Sequence, residues 1–253
     1  MTDLEKYILF QKGTLPLIVS IPHGGTVKLE DIPRRENGVT GIDKGTIELG
    51  KDLITNLEQK IHKKQGITEH IYYIISKIHR SRIDLNRPAK EAYHPEAILG
   101  CKLYHLYHNK LQEYVVESIK IYGTALLLDI HGFESYKRPK GFRDVDIILG
   151  TNNLRSLFDY PIRKKDWNKN IRGRLIKNLL KLEIPIAPAR SRREEYVLKG
   201  GYITQKYGAA EIKNSKSLQV EFSERIRIKN KDMRNKVLKI FIKVLYKELF
   251  ENP

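Results

Sequence analysis

Four short, nearly unbroken apolar runs constrain this chain more than any other feature: LPLIVSI at 15–21, HIYYIISKI at 70–78, TALLLDI at 124–130 and LQVEF at 218–222. Runs of this length, bounded by Gly, Pro and polar residues, read as strands buried on both faces. Between them lie segments with helical spacing. Residues 43–64 place Ile47, Leu49, Leu53, Ile54, Leu57 and Ile61 on one face and end near Gly66, and 101–122 repeat the pattern before Gly123. Helices are also predicted over 167–182, stopped by the Pro185 and Pro188 region, and over 231–250, with a short strand at 145–149. Strands alternating with helices predict an α/β fold: one open mixed sheet covered by helices on both faces. With 253 residues and no internal repeat, low-complexity tract or linker, a single domain spanning 1–253 is expected.

Composition narrows the chemistry. The single cysteine, Cys101, excludes an intrachain disulfide and a multi-cysteine metal cluster, so a metal would sit on His and carboxylates. It also fits a reducing compartment. The N-terminal segment carries acidic residues where a secretory signal is basic, and no apolar stretch approaches the roughly 20 residues of a membrane span. A cytoplasmic location without membrane insertion is expected. The net charge of +17 would attract anionic small molecules or nucleic acid. The basic residues form no clean stripe or nucleic-acid motif, which favours a small anionic partner.

In open sheets of this class, ligands collect at the C-terminal ends of strands, and the unusual polar residues fall there. His23 follows the first buried run in IPHGG, where the glycines permit a tight turn. His131 ends the third run in LLLDIHGF, with Asp129 two residues earlier on the same side of the strand and able to orient the imidazole. Either histidine alone reads as a strand-end residue donating to a carbonyl; the pair reads as a metal pair. A catalytic zinc takes three protein ligands and keeps one position open. With no suitable cysteine the third ligand is a carboxylate, Asp43 first, with Glu48 or Asp129 as alternatives. Asp43 has a competing assignment as helix N-cap or first-turn acid of the segment that GIDKGTIEL opens.

RSRIDLNRP, at the exit of the second run, gathers three arginines, an aspartate and an asparagine. Asn86 and Arg87 read as a clamp for a carboxylate, since a guanidinium meets one bidentately. Arg80 or Arg82 would face a scissile carbonyl and stabilise developing negative charge. A solvated basic turn is the plain alternative. Glu221, between Val220 and Phe222, must be paired, hydrogen-bonded or functional, because an isolated buried charge is costly. It reads either as a general base or as the structural partner of Arg225 or Arg227.

Taken in order, PHGG, DKGTIEL, RSRIDLNRP, LLDIHGF, DVDIILGT, KGGYITQKYG and LQVEFSERIR resemble the motif series of the N-formylglutamate amidohydrolase family over roughly residues 18–227. That family is similar in turn to zinc carboxypeptidases and aspartoacylases, so the resemblance implies a zinc-carboxypeptidase-like fold. It implies one zinc ion on His23 and His131, substrate carboxylate on Asn86 and Arg87, and catalysis by Glu221. It also draws attention to GGYITQKYG. There Gly200 and Gly201 would let a loop close, and Tyr202, Thr204 or Gln205 would contact substrate. One departure matters: carboxypeptidases place a second ligand three residues after the first histidine, where this chain has Thr26. Asp43, in the D-x-G-T-like element, is the replacement.

The reading is a zinc-dependent amidohydrolase acting on an N-acyl amide in a small carboxylate-bearing substrate. Glu221 deprotonates the zinc-activated water, Arg80 assists the oxyanion, and Arg82, Asn86, Arg87, Gly201 and Tyr202 contact substrate. Two rivals remain: a hydrolase of a peptide or aminoacyl-RNA linkage, which the +17 charge would serve, and a non-catalytic anion-binding protein.

Overall fold

A computed structural model of the protein describes residues 4–137, 144–196 and 198–251. Seven strands form one sheet in the order β1-β3-β2-β4-β7-β5-β6. They are β1 (Ile8–Gln11), β2 (Leu17–Ile21), β3 (Tyr72–Ser76), β4 (Ala125–Phe133), β5 (Ile147–Gly150), β6 (Ile186–Ala187) and β7 (Ser215–Ser223). The core strands β3, β2, β4 and β7 are parallel, whereas β1 and β5 run antiparallel to their neighbours β3 and β7. The helices are α1 (Thr46–Gln65), α2 (Ala89–Ala92), α3 (Ile98–Tyr122), α4 (Ile171–Leu180), α5 (Tyr202–Lys206) and α6 (Lys231–Phe250). The sheet is mixed and covered on both faces, as the alternation of runs predicts.

Side-chain alternation divides the sheet into two chemically different faces. Leu17, Val19 and Ile21 of β2, Leu126, Leu128 and Ile130 of β4, and Leu218, Val220 and Phe222 of β7 pack with the apolar faces of α1, α4 and α6. The intervening residues Ser20, Asp129, His131, Gln219 and Glu221 point to the other face, that of α3. There the core is built by Leu103, Tyr107 and Leu111 against Ile18 and Leu127. Hence one face of β4 and β7 supplies cohesion and the other leaves room for polar groups.

The chain leaves β2 for β3 on one side and returns through α3 to β4 on the other. Beside β2 the connections therefore diverge, which opens a crevice at the strand ends. The ladder fixes what meets there: His131 pairs in register with Glu221, and Ser20 with Asp129.

Several boundaries differ from the expected ones. The helix expected at 167–182 begins at Ile171, because Asn170 caps it by accepting from the Gly173 N–H at 3.0 Å. Trp167 precedes it in a 3₁₀ turn, its indole N–H donating to the Ile162 carbonyl. The helix expected from residue 43 begins at Thr46. Strands β1 and β6 were not expected. Both lie at sheet edges, where few residues and little apolar pattern suffice, and β6 is followed by Pro188, which an edge tolerates. Among the described residues no helix is long and apolar enough to cross a membrane.

Candidate active site

His23 leaves the end of β2 fully buried, and its Nε2 lies 2.7 Å from Asp84 Oδ1. His131, on β4, places its Nε2 2.9 Å from Asp129 Oδ2. In its neutral form each imidazole carries its proton on Nε2 toward a carboxylate, which leaves Nδ1 as a lone pair. Both Nδ1 atoms turn to Asp43 Oδ2, at 3.6 Å from His23 and 3.3 Å from His131. The rings approach edge to face with centroids 4.9 Å apart. One ligand atom from each of the three residues lies within 4.8 Å of the others, and His23 Nδ1 is a buried atom with no hydrogen-bond partner. Three acceptors converging in a buried place repel one another unless a cation or a proton sits between them. The donor set, two imidazole nitrogens and a carboxylate, suits zinc.

The electrostatics express the same demand. Burial pushes the Asp43 carboxyl up, but hydrogen bonds to His131 and His23, with their charge, outweigh it and hold the group well below the usual carboxylate range. Burial pushes the His131 imidazole down, yet the charge and hydrogen bond of Asp129, with Asp43 and Glu221 nearby, hold it well above its ordinary value.

The competing assignment of Asp43 as a helix cap does not hold. Gly45 occupies the N-cap with φ 82°, in the left-handed region that suits glycine. The Asp43 carboxylate turns away and accepts from the Gly132 N–H at 3.0 Å. Its backbone is pinned by its own N–H donating to the His23 carbonyl at 2.9 Å. The glycines after His23 serve close approach rather than a positive φ, since a Cβ at Gly25 would collide with the Lys77 backbone. Of the other carboxylates weighed as ligands, Glu48 is solvent-exposed and Asp129 holds the far side of His131.

Asp84 is the hub behind the site. Its Oδ1 also accepts from the Asn86 N–H at 3.0 Å, while its Oδ2 meets Arg80 Nε at 3.1 Å and Arg35 Nη1 at 3.5 Å. Burial raises the Asp84 carboxyl, but the charge and hydrogen bond of His23, then Arg80 and Arg35, bring it well below its usual range. Asp129 is supported in the same way: Ser20 Oγ donates to its Oδ1 at 2.7 Å and lies 2.9 Å from the Tyr107 hydroxyl.

A cavity of about 1040 Å³ opens over this cluster, lined among others by Asp43, Arg80, Asn86, Arg87, Gly201, Tyr202 and Glu221. His23 and His131 are buried and do not line it. Glu221 accepts from Gln219 Nε2 at 2.8 Å. Burial raises its pKa; the charge of His131 opposes the rise and that of Asp43 adds to it. The structural partners considered for it are engaged elsewhere, Arg225 with Asp144 and Asp146, and Arg227 with Glu134.

The arginine motif divides. Arg80 faces the cavity, 3.7 Å from Asp43 Oδ1. Arg82 does not line it: its guanidinium donates to the Ile32 carbonyl at 2.6 Å and pairs with Glu30 at 3.3 Å, so it braces a surface loop in place of the substrate contact expected of it. Asn86 is partly committed, its Oδ1 accepting from the Ile203 N–H at 2.8 Å and its Nδ2 lying 3.3 Å from His131 Nε2. Arg87 is held loosely, 3.9 Å from both Asp84 and Glu91, and is 45% exposed. In GGYITQKYG, Gly201 passes so close to Asn86 that a Cβ would strike its amide, and its N–H donates to Gln219 Oε1. Tyr202 and Gln205 line the cavity, whereas Thr204 is fully buried and contacts none of it.

Three residues central to this arrangement carried no assigned role in the sequence: Asp84, Arg35 and Gln219. Asp84 was within reach, since a histidine ligand usually donates its second nitrogen to a carboxylate. Arg35 gave no signal, and Arg227 entered only as a possible partner of Glu221; both are charged residues whose burial only the fold creates. Arg35 donates to the carbonyls of Asn37, Val39, Arg80 and Glu91. Arg227 donates to those of Lys44, Phe133 and Phe222.

No family model and no curated protein matches the chain. Among solved structures, it is similar to N-formylglutamate amidohydrolase from Ralstonia eutropha JMP134, with TM-score 0.65 and 15% identity over 95% of this chain and 97% of that one. It is likewise similar to a gene product of Agrobacterium tumefaciens, with TM-score 0.63 and 14% identity over 95% and 94% of the two chains. The fold expected from the resemblance is therefore shared along nearly the whole chain.

Proposed function

We propose that this protein is a metal-dependent hydrolase of an N-acyl amide whose amino-acid portion carries a free carboxylate. The observation that carries the reading is the convergence of one ligand atom each from His23, His131 and Asp43 within 4.8 Å, beneath a cavity that Glu221 also lines. The fold shared with an N-formylglutamate amidohydrolase supports the same class.

His23, His131 and Asp43 would hold one divalent ion, zinc by their chemistry, with Asp84 and Asp129 fixing both imidazoles. When bound, such an ion supplies Lewis acidity for the water and the scissile carbonyl. Glu221 takes the proton of the attacking water on a carboxylate oxygen and passes it to the leaving nitrogen, and its raised pKa suits a group that must both accept and release a proton. Gln219 holds that carboxylate in place. Arg80, anchored on Asp84, presents a fixed positive charge to the developing oxyanion. Arg87 takes the substrate carboxylate, because its own ion pairs are long and cost little to exchange. Asn86 positions the α5 end of the cavity more than it binds substrate.

The test is an amide-hydrolysis screen of N-acyl amino acids before and after chelation. Chelation is expected to lower turnover at least a hundredfold and zinc to restore it. Absence of hydrolysis across all acyl and amino-acid types, with zinc supplied, would overturn the reading.

A further inference from the structure

A formyl group brings one carbon to the scissile amide, and the walls of this cavity are built for more. At about 1040 Å³ it lies just above the roughly 300–1,000 Å³ that accommodates drug-sized ligands. Around Asp43 and Glu221 it is lined by Val39, Ile42, Phe133, Tyr196 and Leu198. Single exposed apolar residues mean little; here Val39, Tyr196 and Leu198 are 56%, 62% and 38% exposed and border one space that also contains the candidate chemistry.

Buried charged residues pin both apolar walls. On one side, Arg35 donates to the carbonyls of Asn37 and Val39 at 3.1 and 3.2 Å, and its guanidinium reaches Asp84, which holds His23. Val39 and Ile42 thus lead into Asp43 on a fastened segment. On the other side, Glu195 accepts from the N–H groups of Thr151 and Asn153 at 2.8 and 3.0 Å, which fixes the start of the stretch carrying Tyr196 and Leu198. A wall fixed in advance binds an apolar group without the cost of ordering it.

From this we infer that the acyl group removed by the protein is an apolar chain or ring of several carbons, seated against Val39, Ile42, Phe133 and Leu198, while the amino-acid carboxylate rests on Arg87. The inference deepens the hydrolase reading and rests on it.

The test holds the amino acid constant as glutamate and varies the acyl group from formyl through acetyl to hexanoyl and phenylacetyl, on zinc-loaded protein. kcat/KM is expected to rise at least tenfold from formyl to hexanoyl, the order that a single methylene can discriminate in an apolar pocket. Val39→Asp and Leu198→Asp, both at exposed positions, are expected to shrink the hexanoyl-to-formyl ratio at least threefold. A flat or falling series overturns the inference and leaves the hydrolase reading standing. Calorimetric titration of the same compounds into the Glu221→Gln protein reads affinity without turnover. Affinity rising with chain length, together with no hydrolysis of any of them by the unsubstituted zinc-loaded protein, keeps the acyl site and removes the hydrolase, whereas affinity independent of chain length removes the acyl site.

Discussion

Two glutamates of this protein, Glu195 and Glu221, sit in surroundings that differ in kind: Glu195 is buried, whereas Glu221 is half-buried at the cavity wall. Glu195 accepts from Thr151 N and Oγ1 at 2.8 and 2.5 Å and from Asn153 N at 3.0 Å, and it faces the buried Arg172 guanidinium at 3.0 Å. Glu221 receives one side-chain hydrogen bond, from Gln219, and turns to a cavity that also contains Asp43 and Arg80. What separates them is whether the protein has met the demand of the carboxylate or left it for a ligand.

Exchanging the two carboxylates one at a time gives the largest contrast. Glu221→Gln is expected to lower kcat at least a thousandfold, within the range of a lost general base, with zinc content and melting temperature nearly unchanged. Glu195→Ala strands Arg172 in the interior and is expected to cost about 3 kcal/mol of stability in urea unfolding, since breaking a buried pair leaves an uncompensated charge. A Glu221→Gln protein that melts far lower, or a Glu195→Ala protein of unchanged stability, would erase the distinction.

A finer version concerns the support of the metal group rather than the group itself. Asp84→Asn keeps the shape of the side chain but weakens its hold on His23, so zinc affinity in a competitive chelator titration is expected to fall about 10–100-fold. An unaltered affinity would mean that Asp84 serves Arg80 and Arg35 alone.

The smallest effect is on stability against pH, and it falls on a histidine that belongs to the satisfied class. His108 is buried, its Nε2 donating to the Leu85 carbonyl at 3.0 Å and its Nδ1 lying 3.0 Å from the Tyr207 hydroxyl. Burial pushes its pKa down to about 3. Below the ordinary value of about 6.5 the unfolded chain takes up a proton that the folded chain refuses. Stability from this group is therefore full above pH 6.5 and declines as the pH falls toward 3, by up to about 1.4 kcal/mol per pH unit. His108→Gln is expected to be less stable at pH 7 but to lose less between pH 7 and 5, as urea unfolding at the two values will read. Parallel losses in both proteins would exclude the assignment.

Much of this architecture is local and so was legible in the residues. Continuous apolar runs marked β2, β3, β4 and β7, and apolar residues at helical spacing marked α1, α3 and α6, because burial selects side chains at the period of the element that carries them. The same period placed Asp129 with His131 on one side of β4 and set Glu221 opposite the apolar Leu218, Val220 and Phe222. It also put His23 at a strand end, where an α/β sheet opens its crevice.

What the tertiary structure alone decided was which distant groups meet. The local sequence around Asp43 suits a helix cap as well as it suits a ligand, and the choice fell when Gly132, 89 residues later, offered its N–H to the carboxylate. Asp84 reaches His23 across 61 residues, and Arg82, two positions before it, turns outward to Glu30. A residue's own period tells which face of its element it occupies. Its partners across the sheet follow from strand order and register, which depend on every element packing at once.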